Sequence, residues 1–291
     1  GCVDSVVIID NASTDGTVEI CNDYKSRYPN IKFIENDYNM GSRNSFTKVL
    51  EFVDTEYVVH VGGHDLLTEE CISNLKSALV HTDNVIGSYS DVKLIDYNNT
   101  VIETRDYSSF SEAFMNNIPL LRLGSLVDGF FCAYIFFGLF KTSEFKACCN
   151  EAQSIFGYDS EILTRILLKG RLVYKSGGYN KIRLRPVDLE NAYMVRLTGK
   201  EDGLKEYQEK IRFGKNIINL LSKAEHKGIS FSKRLFILLR SEEIICAMYS
   251  IENSLTRIGG LYRFSKSYLK LIIKFVIIVL PFIGGFYYMK K

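Results

Sequence analysis

The sequence has no tryptophan and only four prolines among its 291 residues, and it contains no low-complexity run or short-period repeat. The lack of repeats and low-complexity runs argues against a repeat solenoid and against long disordered tails. No GxGxxG motif follows an apolar segment, which disfavours a dinucleotide-binding oxidoreductase. The first apolar segment is not followed by a glycine-rich basic loop either, and this disfavours a nucleotidyltransferase.

Metal-binding cysteine patterns are also missing. The seven cysteines are irregularly spaced, no CxxC pair occurs, and the Cys148-Cys149 doublet has no second doublet at the spacing of zinc ligands. We therefore expect reduced thiols that pack as small hydrophobic side chains. Hydrophobic residues make up 46% of the chain and charged residues 24%, the usual proportions of a protein that buries a core.

Charge is unevenly distributed along the chain, although the net charge is only +2. Residues 212–291 contain fourteen basic and four acidic side chains, a formal charge of +10, whereas residues 1–211 carry −8. A basic segment of this kind suits nucleic acid or an anionic membrane surface. The apolar residues within it favour the membrane, so we expect no nucleic-acid partner.

These apolar residues are 271–289, where Lys274 is the only charge. Their number just reaches that of a membrane-spanning helix, but Pro281 and a glycine pair interrupt them, which also fits a segment lying in the membrane interface. A buried C-terminal helix is the alternative. We predict a helical basic extension over 187–265, a membrane-associated or transmembrane segment over 266–291, and a cytoplasmic location for the preceding domain.

Apolar segments alternate with amphipathic segments along the first eighty residues. The predicted strands are Val3–Asp10, Ile31–Glu35 and Glu56–Val61, and the predicted helices are Asp15–Tyr28, Ser42–Val53 and Glu69–Val80. Ser13 or Thr14 is expected to cap the first helix, and Thr68 the third. The alternation predicts a parallel sheet covered by helices on both faces.

The pattern changes after this region and indicates an α/β fold with a mixed sheet. A hairpin is predicted from Val85–Ile95 and Val101–Thr104. The other predicted elements are a helix over Phe110–Asn117, a long aromatic strand over Phe130–Phe140, a helix over Asp159–Leu168 and a strand over Leu172–Tyr174. The aromatic side chains of the long strand, which are Tyr134, Phe136, Phe137 and Phe140, favour core packing over a sugar-stacking surface.

Three polar motifs lie at the ends of predicted elements. The first is Ile9-Asp10-Asn11-Ala12-Ser13-Thr14-Asp15-Gly16-Thr17. The second combines Asn39-Met40-Gly41-Ser42-Arg43-Asn44 with the turn Gly62-Gly63-His64-Asp65, and the third is Phe156-Gly157-Tyr158-Asp159-Ser160-Glu161. In open α/β sheets, ligands bind beyond the carboxyl ends of the strands, where the first motif and the turn are placed.

With these motifs, residues 3–186 resemble the family 2 glycosyltransferases, inverting enzymes built on the GT-A fold, a Rossmann-like fold of nucleotide-diphospho-sugar transferases. The resemblance implies a GT-A-like domain over residues 1–186, with a mixed sheet flanked by helices, followed by a helical C-terminal tail. Members of the family begin with a further strand and helix that border the nucleobase. We expect that unit to be missing here, in a piece of a longer gene product, and the strand edge to be exposed.

The resemblance also assigns residues to the nucleotide sugar. Asp10, with Asn11 beside it, is expected to bind the nucleobase, because a carboxylate can accept a hydrogen bond from an imide N–H; the alternative is an aspartate that closes its own turn. Arg43 is expected to brace the diphosphate, unless it is a solvated surface arginine. Gly63 and His64 are expected to border the nucleotide, since glycine permits close backbone approach.

The metal turn departs from the family pattern, in which an Asp-x-Asp-Asp sequence holds a divalent cation. The corresponding turn here, Gly62-Gly63-His64-Asp65, has one carboxylate. Asp65, together with His64, is expected to hold Mn²⁺ or Mg²⁺ against the diphosphate, and an imidazole suits Mn²⁺ better. A turn that has lost metal binding is the alternative. His60 is predicted to be a core histidine.

The family's catalytic base is an acidic residue that opens a late helix. Asp159 occupies that position, with Glu161 as a substitute, and a helix N-cap is the alternative role for Asp159. If these assignments hold, Asp10, Asp65 and Asp159 meet around one cleft.

The predicted function is transfer of a sugar from a nucleotide-sugar donor, a UDP- or dTDP-sugar, to the hydroxyl of a lipid-linked or glycan acceptor. The predicted setting is cell-surface glycan synthesis at the cytoplasmic face of the membrane. The second hypothesis is a catalytically silent GT-A domain that serves as a membrane-bound scaffold.

Overall fold

The structure, a computed structural model, describes residues 3–128, 130–155 and 157–184, together with residues 212, 213, 216, 217, 219 and 220. All of them belong to the first of two compact units of the chain, Gly1–Gly228. Except for those six residues, the predicted basic extension and the predicted membrane segment lie outside the described residues. No helix within the described ranges is both long and apolar enough to cross a membrane.

The described chain begins with two strand–helix units whose strands pair in parallel along their whole length. They are β1 (Val6–Asp10) with α1 (Thr17–Arg27), and β2 (Ile31–Glu35) with α2 (Ser42–Leu50). The predicted boundaries of β2 agree with the structure at both ends, whereas α2 ends earlier than predicted. These units place the first motif at the carboxyl end of β1 and the second at the start of α2.

The remaining elements form two mixed sheets with helices packed against them. The strands are β3 (Tyr57–Val59), β4 (Leu66–Leu67), β5 (Val85–Tyr89), β6 (Val92–Ile95), β7 (Val101–Arg105), β8 (Leu139–Lys141), β9 (Arg171–Tyr174) and β10 (Asn180–Arg183). The helices are α3 (Glu69–Val80), α4 (Ser111–Phe114), α5 (Pro119–Asp128), α6 (Thr142–Glu151) and α7 (Tyr158–Lys169).

The two sheets have the spatial orders β3-β8-β5-β9 and β4-β10-β6-β7. In the first sheet, β8 is antiparallel to both neighbours and β5 is parallel to β9. In the second, β10 is parallel to β6, and β6 and β7 form the predicted hairpin. The mixed sheet flanked by helices is confirmed. The prediction that the first three strands form one parallel sheet is wrong, because β1 and β2 pair only with each other and β3 belongs to a different sheet, where it is antiparallel to β8.

Two other predicted strands differ from the structure. Phe130–Phe137 forms a 3-10 helix, so that only the end of the predicted aromatic strand becomes β8. The predicted strand Val85–Ile95 is divided between the two sheets. The division falls at Asp91, whose carboxylate accepts hydrogen bonds from the Tyr107 N–H and the Tyr174 hydroxyl, both at 2.9 Å. These bonds hold the chain where it leaves one sheet for the other.

Aromatic and aliphatic side chains fill the space between α6, α7 and the β3-β8-β5-β9 sheet. Phe136 and Phe140 are each 1% exposed, as predicted for core residues, and the Phe140 ring stacks on Phe145 at 5.0 Å. Cys148 and Cys149 are buried and free. Burial raises the pKa of the two thiols to about 11 and about 12, so they behave as the small hydrophobic groups that the sequence predicted.

The helix starts agree with the predicted capping in one case and differ in another. The Thr68 hydroxyl accepts a hydrogen bond from Cys71 N at 3.2 Å and caps α3, as predicted. The first helix is not capped by Ser13 or Thr14. It begins after Gly16, whose φ of 80° lies in the left-handed region that favours glycine. Ser13 instead donates hydrogen bonds to the carboxylate of Asp10.

Candidate active site

Asp10 ends β1 and is 5% exposed. Its two carboxylate oxygens accept hydrogen bonds from the hydroxyl and the backbone N–H of Ser13, at 2.5 and 2.8 Å. This is the turn-closing geometry that was the alternative to nucleobase binding. Each oxygen keeps a second lone pair, so the turn fixes the orientation of the carboxylate without using up its capacity as an acceptor.

Asn11 links the first motif to the second. Its Oδ1 accepts hydrogen bonds from Met40 N at 3.0 Å and from the Ser45 hydroxyl at 2.8 Å, and its Nδ2 donates to Asn39 Oδ1 at 2.6 Å. The side chain therefore faces the protein, whereas the resemblance placed it against the nucleotide. Its amide holds the Asn39–Met40 segment against the end of β1.

Arg43 also faces the protein. Its guanidinium donates to the carbonyl oxygen of Ala152 at 3.0 Å, to that of Cys149 at 3.4 Å, and to the Thr47 hydroxyl. The Cys149 carbonyl also accepts the Ala152 N–H at 3.3 Å, and a cation near the last carbonyls of a helix is favourable. Arg43 is therefore neither the solvated arginine nor, in this conformation, the free phosphate brace that the sequence suggested.

A cavity of about 430 Å³ lies between α2 and the segment 153–155. Its volume falls within the range of small-molecule sites. The residues that line it are Met40, Arg43, Asn44, Thr47, Lys48, Glu51, Gln153, Ser154 and Ile155.

The turn 62–65 is held by β10. Arg183 N donates to Asp65 Oδ1 at 2.8 Å, and Arg183 Nε donates to the His64 carbonyl at 2.9 Å. The Asp65 side chain is 3% exposed and that of His64 is 38% exposed. A Cβ on Gly62 would lie 2.5 Å from Asp65 Oδ2 and would displace this carboxylate, whereas Gly63 faces open space. Sequence reasoning missed Arg183 because its partners are distant in sequence.

Burial raises the pKa of Asp65, and this rise is opposed by the Arg183 N–H, the nearby His64 and the Gly62 backbone. His64 Nε2 lies 3.7 Å from Asp65 Oδ1, too far for a direct hydrogen bond. Within the described ranges, no group of three His, Cys, Asp or Glu side chains could hold a metal ion. A divalent cation there would find one carboxylate and one imidazole from this turn, and its other ligands would be substrate phosphates or water.

Asp159 lies in the first turn of α7 and is partly buried. Its Oδ1 accepts a hydrogen bond from Ser160 N at 2.8 Å. The N-cap of α7 is Gly157, with φ 62°, so the alternative reading of Asp159 as the cap is wrong. The carboxylate therefore has no N-cap role and stands at the start of the helix.

Tyr134 is partly buried, and charged residues around it influence the pKa of its phenol group. Burial raises the pKa of its hydroxyl; Arg105 opposes the rise, and the negative charges of Glu103, Asp159 and Asp65 add to it. The charges of Asp65 and Asp159 thus both contribute to the pKa of this phenol group. The convergence of Asp10, Asp65 and Asp159 around one cleft stays a prediction. Sequence reasoning did not assign Tyr134 to the site, because the surrounding aromatic residues indicated a buried strand.

Glu161 lies inside the protein, with its side chain 0% exposed. Its oxygens accept hydrogen bonds from Ser154 N at 2.8 Å and from Arg165 Nη2 at 2.8 Å. Burial alone would raise the pKa of Glu161, but its hydrogen bonds from Ser154, Arg165 and Gln153 outweigh burial and hold the pKa below its usual value. A buried, fully bonded carboxylate does not face a substrate, so the expectation that Glu161 substitutes as base is replaced by a structural role.

The family model described as Glycosyl transferase family 2 matches residues 2–142, a range that includes the first motif and the metal turn. Over this segment the chain is similar to glycosyl transferase family 2. Asp159 and Glu161 lie beyond the matched range of the family 2 domain. A comparison with curated proteins finds no match.

Solved structures show the same fold as the family 2 domain. Residues 1–349 of S. aureus TarS match at 15% identity with a TM-score of 0.59, over 94% of this chain and 70% of that chain. TarS 1–349 with UDP-GlcNAc and with UDP match at 16% identity, with TM-scores of 0.55 and 0.53. Both matches cover 80% of this chain. They cover 61% of the TarS chain with UDP-GlcNAc and 60% of the TarS chain with UDP. The chain has the GT-A fold.

His60 lies in an aromatic cluster, as predicted for a core histidine. Its ring stacks on Phe137 at 5.7 Å and meets Phe46 edge-on at 4.9 Å. Part of its surface stays accessible, but burial lowers its pKa from 6.5 to about 4. Neutral His60 is therefore a packing residue and is separate from the His64–Asp65 pair.

The stability of the protein should depend on pH through His60. The unfolded residue takes up a proton below pH 6.5 while the folded residue stays neutral, so this contribution is lost as the pH falls from about 6.5 towards 4. From pH 7 to pH 5 we expect the unfolding free energy to fall by about 1–2 kcal/mol through His60. The unfolding free energy of His60→Phe, measured by urea denaturation, should therefore change by about 1–2 kcal/mol less between pH 7 and pH 5 than that of the unchanged protein.

The control for this measurement is Phe137→Leu, which alters the same cluster without removing a titratable group. It should lower the stability equally at both pH values. If His60→Phe keeps the full pH dependence of the unchanged protein, the assignment of a neutral buried histidine is wrong.

Proposed function

We propose that this protein transfers a sugar from a nucleoside-diphosphate sugar to an acceptor hydroxyl with inversion at the anomeric carbon. The observation that carries the proposal is the match of residues 2–142 to the family 2 model, together with the GT-A fold. On this basis Asp65 belongs to the turn that serves the diphosphate, and Asp159 begins the helix that presents a base. Sugar transfer by direct displacement needs these two functions on either side of one carbon atom.

In the proposed reaction, Asp159 accepts the proton of the acceptor hydroxyl. The hydroxyl oxygen forms a bond to the anomeric carbon while the bond from that carbon to the diphosphate oxygen breaks, and the nucleoside diphosphate leaves with the bonding electrons. A divalent cation held by Asp65 and His64 would neutralise charge on the leaving group. Asp159 is suited to proton transfer because it is partly exposed in the first turn of α7.

A uracil or thymine nucleotide is the proposed donor. Its imide N–H matches the Asp10 carboxylate, which Ser13 holds in one orientation at the carboxyl end of β1. The TarS structures contain UDP and UDP-GlcNAc, and these ligands are the natural first probes.

A lipid-linked or glycan acceptor at the cytoplasmic membrane face is proposed from the sequence alone, on the +10 charge of residues 212–291 and the apolar run 271–289. We expect the full-length protein to sediment with anionic vesicles at low salt and to be released from them when residues 271–291 are deleted. Equal sedimentation with and without these residues would contradict the membrane assignment.

A second candidate is a silent GT-A domain that serves as a scaffold. It is favoured by the single carboxylate of the metal turn, whose Oδ1 already accepts the Arg183 N–H. The two candidates differ in whether the nucleoside diphosphate binds together with a metal ion.

Calorimetric titration of the full-length protein with UDP tests the metal turn. We expect Mn²⁺ to raise the UDP affinity about tenfold or more, equal to about 1.4 kcal/mol, and Asp65→Asn to remove this gain. Asp23→Asn, an exposed aspartate that pairs with Arg27 on α1, is the control and should keep the gain. The absence of any metal-dependent UDP binding by the unchanged protein would favour the scaffold.

Release of UDP from UDP-GlcNAc by the full-length protein tests the base. We expect Asp159→Asn to lower the turnover rate about 10²–10⁴-fold with unchanged UDP affinity, because a positioned base contributes that much. Glu69→Gln is the matched control, since Glu69 is an exposed acidic residue in the first turn of α3, a helix of the same length as α7. A folded Asp159→Asn variant with full activity would remove Asp159 from the mechanism.

A further inference from the structure

The buried carboxylate of Glu161 is bonded on both oxygens. Oε2 accepts from Ser154 N at 2.8 Å and from Gln153 N at 3.3 Å. Oε1 accepts from Arg165 Nε at 3.0 Å and Arg165 Nη2 at 2.8 Å. The other carboxylate on Arg165 is Glu151, which is 66% exposed. Arg165 therefore pairs with the buried Glu161 and with the exposed Glu151. Glu161 also accepts hydrogen bonds from the backbone N–H groups of Gln153 and Ser154.

These bonds fix the segment that joins α6 to α7. Glu161 holds the N–H groups of residues 153 and 154, and Arg43 holds the carbonyl of Ala152 from the side of α2. Asn216 donates to the Ser154 hydroxyl at 3.1 Å. The segment is thus held by side chains from three different parts of the chain.

The same segment leads directly to Asp159. It passes through Gly157, whose left-handed φ of 62° turns the chain into α7, and a Cβ there would lie 3.0 Å from the Phe213 ring. Because the turn is tight and packed, a shift of residues 153–155 would be passed to the first turn of α7. A displacement of about 1 Å at a reacting group can cost about 10²-fold in rate.

We propose that Glu161 is a positioning residue, which holds Asp159 in place by binding the backbone of residues 153 and 154 and pairing with Arg165. The proposal rests on the proposed function, in which Asp159 is the base. Glu161 touches no substrate and acts through the loop and the start of α7. Its charge strengthens the bonds to the two N–H groups, since hydrogen bonds to an ionised acceptor are shorter and stronger than neutral ones.

The test compares the two partners of Arg165 in the full-length protein. Glu161→Gln keeps the size of the side chain and removes its charge, and Glu151→Gln does the same at the exposed partner. With UDP-GlcNAc as probe, we expect Glu161→Gln to lower kcat for UDP release about 10–100-fold and to change KM and the UDP dissociation constant less than about twofold. Glu151→Gln should leave all three unchanged.

A double-mutant comparison separates positioning from other effects. In the Asp159→Asn background, Glu161→Gln should cause no further loss of kcat, because the group that it positions is already absent. A folded Glu161→Gln variant with normal kcat, or a loss that multiplies in the Asp159→Asn background, would overturn the proposal. Full activity of the single variant Asp159→Asn would contradict the proposed base. This result comes from a variant in which Glu161 is unchanged, so failure of the proposed function can be told apart from failure of the positioning role.

Removal of one partner of a buried ion pair can unfold a protein. Circular dichroism of Glu161→Gln therefore accompanies the kinetics. If that variant does not fold, Glu161→Gln combined with Arg165→Met removes both charges of the pair, so that only the exposed Glu151 loses a partner. The pair variant should show the same 10–100-fold loss of kcat with retained UDP binding, and a normal kcat in this folded variant would overturn the proposal.

Discussion

The shape of the metal turn depends on Arg183, a residue of β10 far from the turn in sequence. Its N–H binds the Asp65 carboxylate, and its guanidinium binds the carbonyls of His64 and Asp96 and the side chain of Asn99. A loop has backbone groups that no strand partner satisfies, so a charged side chain that bonds several of them fixes their arrangement. The turn is therefore shaped by the β4-β10-β6-β7 sheet as much as by its own glycines.

The same constraint governs the third motif. Arg43 satisfies carbonyls at the end of α6, and Glu161 satisfies N–H groups in the segment that follows. In the connection between α6 and α7, the cationic Arg43 thus binds a carbonyl oxygen and the anionic Glu161 binds N–H groups. Both residues were expected to face the substrate. Turned inward, they stabilise the loop that ends at Asp159, so a motif can determine the geometry of a site while only some of its members are available to a ligand.

Local signals in the sequence predicted much of the fold, while contacts between distant residues could not be predicted. The bounds of β2, the Thr68 cap and the β6–β7 hairpin follow from short-range periodicity and turn chemistry, and all three are confirmed. The antiparallel pairing of β3 with β8 joins segments about eighty residues apart, and no local pattern encodes it. The partners of Arg43 and Glu161 were missed for the same reason.

The segment before β8 forms a 3-10 helix where a strand was predicted, and this difference changes which side chains are exposed. In a strand, side chains alternate between two faces, and Tyr134 would share a face with the buried Phe136. In the observed 3-10 helix, residues three apart lie on the same side. Tyr134 and Phe137 are accordingly the partly exposed residues, while Ile135 and Phe136 are buried. The helical turn thus leaves the Tyr134 phenol partly exposed, and the charges of Glu103, Asp159 and Asp65 add to the rise of its pKa that burial causes.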